Sequence, residues 1–81
     1  MTRDLVRELM NSILVRQGKA PVSDDNASLR DVGFRSLDFS ECALRVERAV
    51  GRELNFDAAL MRSISTVGDV LNFFEKASHS A

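Results

Sequence analysis

Apolar residues recur every three or four positions in three separate stretches of this 81-residue chain, which is the spacing of amphipathic helices. The stretches cover residues 2–17, 36–52 and 66–77, and they predict three helices as the main elements of an all-α fold. The residues expected to share the inward faces are Leu5, Val6, Leu9, Met10, Ile13, Leu14, Phe39, Cys42, Ala43, Val46, Ala49, Val50, Val67, Val70, Leu71 and Phe74.

Polar residues and glycine mark the ends of these helices. Thr2 is placed to cap the first helix, and Gly18 to end it. Thr66 and Asp69 have the spacing of a capping box, in which each side chain accepts the backbone N–H of the other residue. The last helix is expected to end near Ala77, with residues 78–81 as a frayed tail.

The segment between the first two helices, residues 18–35, lacks a helical period and contains Pro, Gly, Ser, Asp and Asn. It is predicted to be a long loop with a turn of helix after Ser28. A further short helix is predicted from Phe56 or Asp57 to Met61. The expected architecture is therefore a single domain over residues 1–81, a small four-helix bundle with three main helices and one short helix.

Composition excludes several classes of function. Eleven basic residues (Lys and Arg) oppose twelve acidic ones without any basic block, so neither nucleic acid nor an anionic membrane is an expected partner. One cysteine cannot form a disulfide within the chain, and no Cys/His cluster offers a metal site. No run of about 18 apolar residues occurs that could span a bilayer. We expect a monomer in the cytoplasm.

The chain also lacks the residues that most enzyme mechanisms need. Its one histidine, His79, lies near the end of the chain, so acid–base or triad chemistry has no credible base. Cys42 falls on the inward face of its helix and is expected to be a small buried hydrophobe. The sequence therefore predicts a protein that is not an enzyme.

Ser36 is the residue that most deserves a functional hypothesis, because it places a hydroxyl at the junction of the long loop and the second helix. One interpretation is structural: serine is a common helix N-cap. The other is a modification site, since a phosphoester at a helix start gains from free backbone N–H groups and from the helix dipole. Spacing alone leaves both interpretations open.

Two motifs resemble those of the acyl carrier protein family. Residues 32–38, VGFRSLD, followed by Glu41, Leu44 and Glu47, are similar to the family's prosthetic-group site, Leu-Gly-x-Asp-Ser-Leu-Asp with Glu three residues on. Residues 64–70, ISTVGDV, are similar to the Thr-Val-Gly-Asp start of the family's last helix. Length and helix order agree along nearly the whole chain.

The resemblance implies that Ser36 carries 4′-phosphopantetheine, derived from coenzyme A, as a phosphodiester. The terminal thiol of this arm then holds an acyl group as a thioester. The partners implied are a phosphopantetheinyl transferase, an acyl- or aminoacyl-activating ligase, and acyltransferases or synthases. Fatty acid biosynthesis or a related secondary-metabolite route is the expected setting.

Two leucines lie on the side of the second helix away from the core. Leu37 and Leu44 are seven positions apart, and they are either ordinary surface leucines or part of a docking face for partner enzymes. The resemblance favours docking, because family members contact their partners at these positions. The residues expected to take part are Arg35, Leu37, Asp38, Glu41, Leu44, Arg45 and Arg48.

Charge departs from the family pattern. Arg35 stands where the family usually has Asp, and the second helix lacks the acidic excess that basic patches on fatty acid synthesis enzymes recognise. Arginine and carboxylate side chains balance over residues 35–53, namely Arg35, Arg45, Arg48 and Arg52 against Asp38, Glu41, Glu47 and Glu53. Because electrostatic complementarity sets partner choice, we expect a specialised carrier with dedicated partners.

Two alternatives remain at this point. The chain is either an acyl carrier or an aminoacyl or peptidyl carrier, which loading assays would separate. A different class, a small helical interaction module without a prosthetic group, is the other alternative.

Overall fold

The computed structural model describes residues 1–54 and 58–79. Its helices are α1 (Arg3–Arg16), α2 (Leu29–Val32), α3 (Ser36–Val50), α4 (Ala58–Arg62) and α5 (Val67–His79). The three long helices, α1, α3 and α5, pack against one another, and the two short ones lie in the connections. This confirms the predicted all-α bundle with three main helices. The turn of helix predicted after Ser28 is α2, whereas the predicted start of α4 lies outside the described residues.

Local capping sets the predicted helix starts. Thr2 Oγ1 accepts the N–H of Leu5 at 3.3 Å at the start of α1. At the start of α5, Thr66 Oγ1 accepts the N–H of Asp69 at 3.1 Å, and Asp69 Oδ2 accepts the N–H of Thr66 at 3.0 Å. These predictions are confirmed. α5 extends through residues 78 and 79, beyond the expected end near Ala77, while residues 80 and 81 lie outside the described part.

The core lies where the inward faces of α1, α3 and α5 meet. Phe74 is fully buried, and its ring centroid lies 5.0 Å from that of Phe39 and 5.1 Å from that of Phe73. The other fully buried side chains are Val6, Met10, Ile13, Leu14, Cys42, Val46, Val67, Val70 and Leu71. Aromatic stacking and aliphatic burial therefore hold the three helices together without a disulfide.

The predicted inward faces of α1 and α3 were too wide. Leu5 is 46 % exposed and Ala49 is exposed, so both expected core positions are wrong. Leu9 and Val50 are only half-buried at the edge of the core. The reason is that neighbouring helices cover a narrow stripe of α1, centred on residues such as Val6 and Met10, and the flanking apolar positions reach solvent.

The long loop is fastened to the start of α5. The N–H of Leu29 donates to the Ser65 carbonyl at 3.0 Å, and the N–H of Val67 donates to the Ala27 carbonyl, also at 3.0 Å. Asp25 secures the loop to α1 through ion pairs with two arginines, Arg3 and Arg7. The bonds from Arg7 and Arg3 hold the pKa of this carboxyl below its ordinary value.

Among the described helices, none combines the length and the apolar composition that a membrane span requires. Location in the cytoplasm stays a prediction.

Candidate functional site around Ser36

Ser36 is exposed at the first residue of α3. The N-cap position is taken by the preceding residue, Arg35, so the interpretation of Ser36 as the N-cap is wrong. An arginine side chain has no hydrogen-bond acceptor, so the N-cap residue makes no side-chain hydrogen bond to the first N–H groups of this helix. The Ser36 hydroxyl makes no hydrogen bond with another described residue. Among the described residues, the structure thus presents an unbonded hydroxyl next to helix-start N–H groups that the N-cap side chain does not satisfy.

The turn that ends α2 holds the short segment of chain that leads to Ser36. Gly33 has a φ of +78°, a left-handed backbone conformation that residues with a side chain rarely adopt. This conformation ends α2 and turns the chain toward α3. Lys19 Nζ donates to the Gly33 carbonyl. Phe34 is buried, and its N–H donates to the Leu29 carbonyl at 2.9 Å. These contacts fix where α3 begins.

Asp38 is a positioning residue of this site rather than a docking residue. Only 6 % of the residue is exposed, so its burial contradicts its predicted place among the docking residues. Its carboxylate accepts the N–H of Arg35 at 2.8 Å and the side-chain amide of Gln17 at 2.6 Å. Burial alone would raise the pKa of Asp38, but these hydrogen bonds outweigh it and lower the pKa.

An open groove of about 800 Å³, with Ser36 in its lining, lies between α2, the turn that leads to α3, α3 itself, α4 and the segment that joins α4 to α5. Its apolar lining comes from side chains on all of these elements: Leu29, Phe34, Phe39, Met61 and Ile64. Its polar lining comprises Ser28, Arg30, Asp31, Arg35, Ser36 and Ser65. A groove of this size accommodates a linear organic chain with an apolar part.

The residues present fit a phosphodiester-linked arm on Ser36. The hydroxyl is accessible, and the uncapped N–H groups at the helix start favour a negatively charged phosphate next to them. Arg35, the residue before Ser36, is exposed and adds a positive charge to this end of the helix. No group of three or more acidic, His or Cys side chains in the described residues could hold a metal ion.

The remaining predicted docking residues lie along or beside the outer face of α3. Leu37 is 83 % exposed and Leu44 is 55 % exposed, which confirms their predicted outward orientation. Arg48 is also exposed. Glu41 and Arg45 are half-buried and joined by an ion pair of 2.8 Å.

Cys42 is fully buried, and burial raises the pKa of its thiol to about 12. It is a small apolar core residue, as predicted, and the thiolate needed for reactivity does not form near neutral pH. The side chain of His79 lies outside the described part.

Sequence reasoning missed two residues that shape the site, Gln17 and Lys19. They follow α1 and reach Asp38 and Gly33 across separations of 21 and 14 residues. No local pattern marks such contacts, because they depend on where α1 ends relative to α3.

This fold and site define a class of small helical bundles that present a serine hydroxyl at the start of a long helix, beside an open groove. Two curated relatives are similar to the chain: the acyl carrier protein of Sinorhizobium fredii (strain NBRC 101917 / NGR234) and the acyl carrier protein AcpP of Rhizobium meliloti (strain 1021). Each is 43 % identical to the chain over 56 residues, which is 69 % of this chain and 69 % of the relative. The chain belongs to the acyl carrier protein family, and its general role is that of a carrier. No protein-family model matches it.

Proposed function

We propose that Ser36 is the attachment point of 4′-phosphopantetheine and that the chain carries acyl groups for dedicated partner enzymes. The observation that carries the proposal is the exposed, unbonded Ser36 hydroxyl at an uncapped helix start beside the groove. When bound, the arm supplies a thiol that holds an acyl group as a thioester. The names of the two relatives support an acyl rather than an aminoacyl or peptidyl cargo, and they disfavour a plain interaction module.

The chain's own residues have separate tasks in this proposal. Ser36 supplies the oxygen of the phosphodiester, and the first N–H groups of α3 together with Arg35 stabilise its negative charge. Asp38 and Gly33 hold the loop and helix so that the hydroxyl faces outward. The apolar side chains of the groove shield the apolar part of arm and cargo from water.

The partners follow from this role. A phosphopantetheinyl transferase modifies Ser36, an acyl-activating ligase loads the cargo, and acyltransferases or synthases take it off. The charge balance of α3 supports a specialised carrier in fatty-acid-like or secondary-metabolite biosynthesis over the general carrier of fatty acid synthesis.

Attachment is tested by incubating the chain with coenzyme A and a broad-specificity phosphopantetheinyl transferase, followed by intact-mass spectrometry. Wild type should gain the mass of one phosphopantetheine group, and Ser36→Ala should gain none. Ser40→Ala, an exposed serine one turn further along α3, is the matched control and should be modified like wild type. Because Ser36 caps nothing, Ser36→Ala should change the free energy of unfolding by less than about 0.5 kcal/mol. Uptake of the arm by the Ser36→Ala variant would refute the assignment.

A further inference from the structure

The outer face of α3 carries a stripe of two exposed leucines and two charged residues. We define this leucine face by Leu37, Glu41, Leu44 and Arg48, whose spacing of three and four residues places them along one side of the helix. The two leucines are 83 % and 55 % exposed. Exposed, aligned leucines are the usual anchors of a protein contact, and charges beside them decide which partners approach.

The one carboxylate on the leucine face is neutralised from within the chain. Glu41 Oε2 accepts hydrogen bonds from Arg16, which reaches across from α1, and from Arg45, at 2.8 Å, one turn along α3. Arg45 also donates to Ser12 Oγ on α1 at 3.2 Å. We call Glu41, Arg16 and Arg45 the Glu41 cluster, and its two cations around one anion give it a net positive charge.

The other carboxylates of α3 are also engaged. Asp38 is buried against Arg35 and Gln17, and Glu47 is half-buried and accepts the N–H of Leu54 at 2.8 Å. Glu53 is exposed, but it lies beyond the far end of the helix.

Two arginines of the region remain free. Arg35 and Arg48 are exposed and form no ion pair with another described residue. Arg30 and Asp31, two residues of α2 that line the groove, together add no net formal charge. The formal charge of residues 35–53 is zero, yet the charge that a partner meets around the two leucines is positive.

We propose that the leucine face docks enzymes whose carrier-binding surface is apolar and rimmed by Asp and Glu. This inference rests on the proposed function, and it specifies the partner. An acidic rim would attract Arg35, Arg48 and the Glu41 cluster, which speeds association, whereas a rim of Lys and Arg would meet like charges. The structure thus assigns to this carrier a positively charged docking face, whereas a carrier with an acidic second helix presents a negatively charged one.

The test uses one enzyme in two charge states. The probe is a general ketosynthase whose docking patch is rich in Lys and Arg, compared with a version in which those residues are changed to Glu. The rate of acyl transfer by each version is divided by its rate with a free acyl-pantetheine thioester, because this substrate reacts without docking. Acyl transfer from the loaded carrier is then measured at low and high ionic strength, after intact-mass spectrometry has verified the arm and circular dichroism the fold.

We expect wild type to favour the acidic ketosynthase about tenfold at an ionic strength of about 0.01 M, and to lose that preference at about 1 M. Arg48→Glu should remove most of the preference. Lys76→Glu makes the same change of charge on an exposed position in α5, outside the leucine face, and should leave the preference within about twofold of wild type.

A second variant tests the role of Glu41. Arg16→Ala combined with Arg45→Ala releases its carboxylate, so this variant should shift toward the basic ketosynthase.

The outcomes separate the two proposals. If Ser36 never takes up the arm, the proposed function fails, and this inference fails with it. If the arm is attached but wild type prefers the basic ketosynthase, only the charge inference is overturned. An effect of Arg48→Glu no larger than that of Lys76→Glu would overturn it as well.

Discussion

Asp38 is predicted to set the stability of the α3 start, and Asp38→Ala is the change that tests this. In the structure its carboxylate accepts the Arg35 N–H at 2.8 Å and the Gln17 amide at 2.6 Å, with only 6 % of the residue exposed. Losing the hydrogen bond that Asp38 accepts from the N–H of the N-cap residue costs about 1 kcal/mol. The bond from Gln17 to a charged acceptor adds about 1–2 kcal/mol, at the lower end because Gln17 is itself exposed and water replaces the lost partner. We expect the free energy of unfolding to fall by about 2–3 kcal/mol, a large part of the stability of a domain this small.

The assay is urea unfolding followed by far-ultraviolet circular dichroism at neutral pH. Asp31→Ala, which removes an exposed carboxylate from α2, is the matched control and should cost less than about 0.5 kcal/mol. Adding Gln17→Ala to Asp38→Ala should cost less than the sum of the single changes, by about 0.5–1 kcal/mol, because the two side chains share one hydrogen bond. A loss for Asp38→Ala no larger than that for Asp31→Ala would refute the role of Asp38 in holding the start of α3.

The pH dependence gives an independent test of the same residue. The pKa of Asp38 is lowered in the folded state, so its carboxylate stabilises the fold above its unfolded-state pKa of about 3.9. This contribution is lost as the pH falls through the lowered, folded-state pKa. The difference in stability between wild type and Asp38→Asn should therefore be greatest near neutral pH and narrow below about pH 4. A constant difference over that range would contradict the assignment.

Two further predictions concern the core and the loop. Phe74→Ala removes a fully buried ring that stacks on Phe39, so it should lower the free energy of unfolding by about 3–5 kcal/mol, measured by urea unfolding. The control Leu44→Ala, on the exposed face of α3, should lower it by less than about 0.5 kcal/mol. Equal losses for the two variants would contradict the placement of the core. Asp25→Asn should cost about 1 kcal/mol at neutral pH, since its carboxylate is part-exposed and pairs with two arginines. Because the pKa of Asp25 is lowered by those bonds, the loss should shrink in acid and in high salt, and a loss that persists under both conditions would rule out the ion pairs as its cause.

The sequence by itself determined the parts of this protein that depend on near neighbours. Thr2 and the Thr66–Asp69 pair cap their helices through bonds that span three residues, so their spacing in the chain suffices to predict them. The outward orientation of Leu37 and Leu44 also follows from helical phase alone. The motif around Ser36 likewise indicates the family from the sequence, because it is a run of adjacent residues.

Only the tertiary structure decided which neighbours the acidic residues of α3 contact. Asp38 and Glu41 are both acidic side chains in the first half of α3, and the resemblance to the family predicts surface docking for each. The end of α1 changes this: Gln17 helps to enclose Asp38, and Arg16 neutralises Glu41. These contacts join residues 21 and 25 positions apart, so they depend on how α1 and α3 cross. A helix's sequence fixes its period and its caps, but the charge that its surface presents is set by the neighbouring helix.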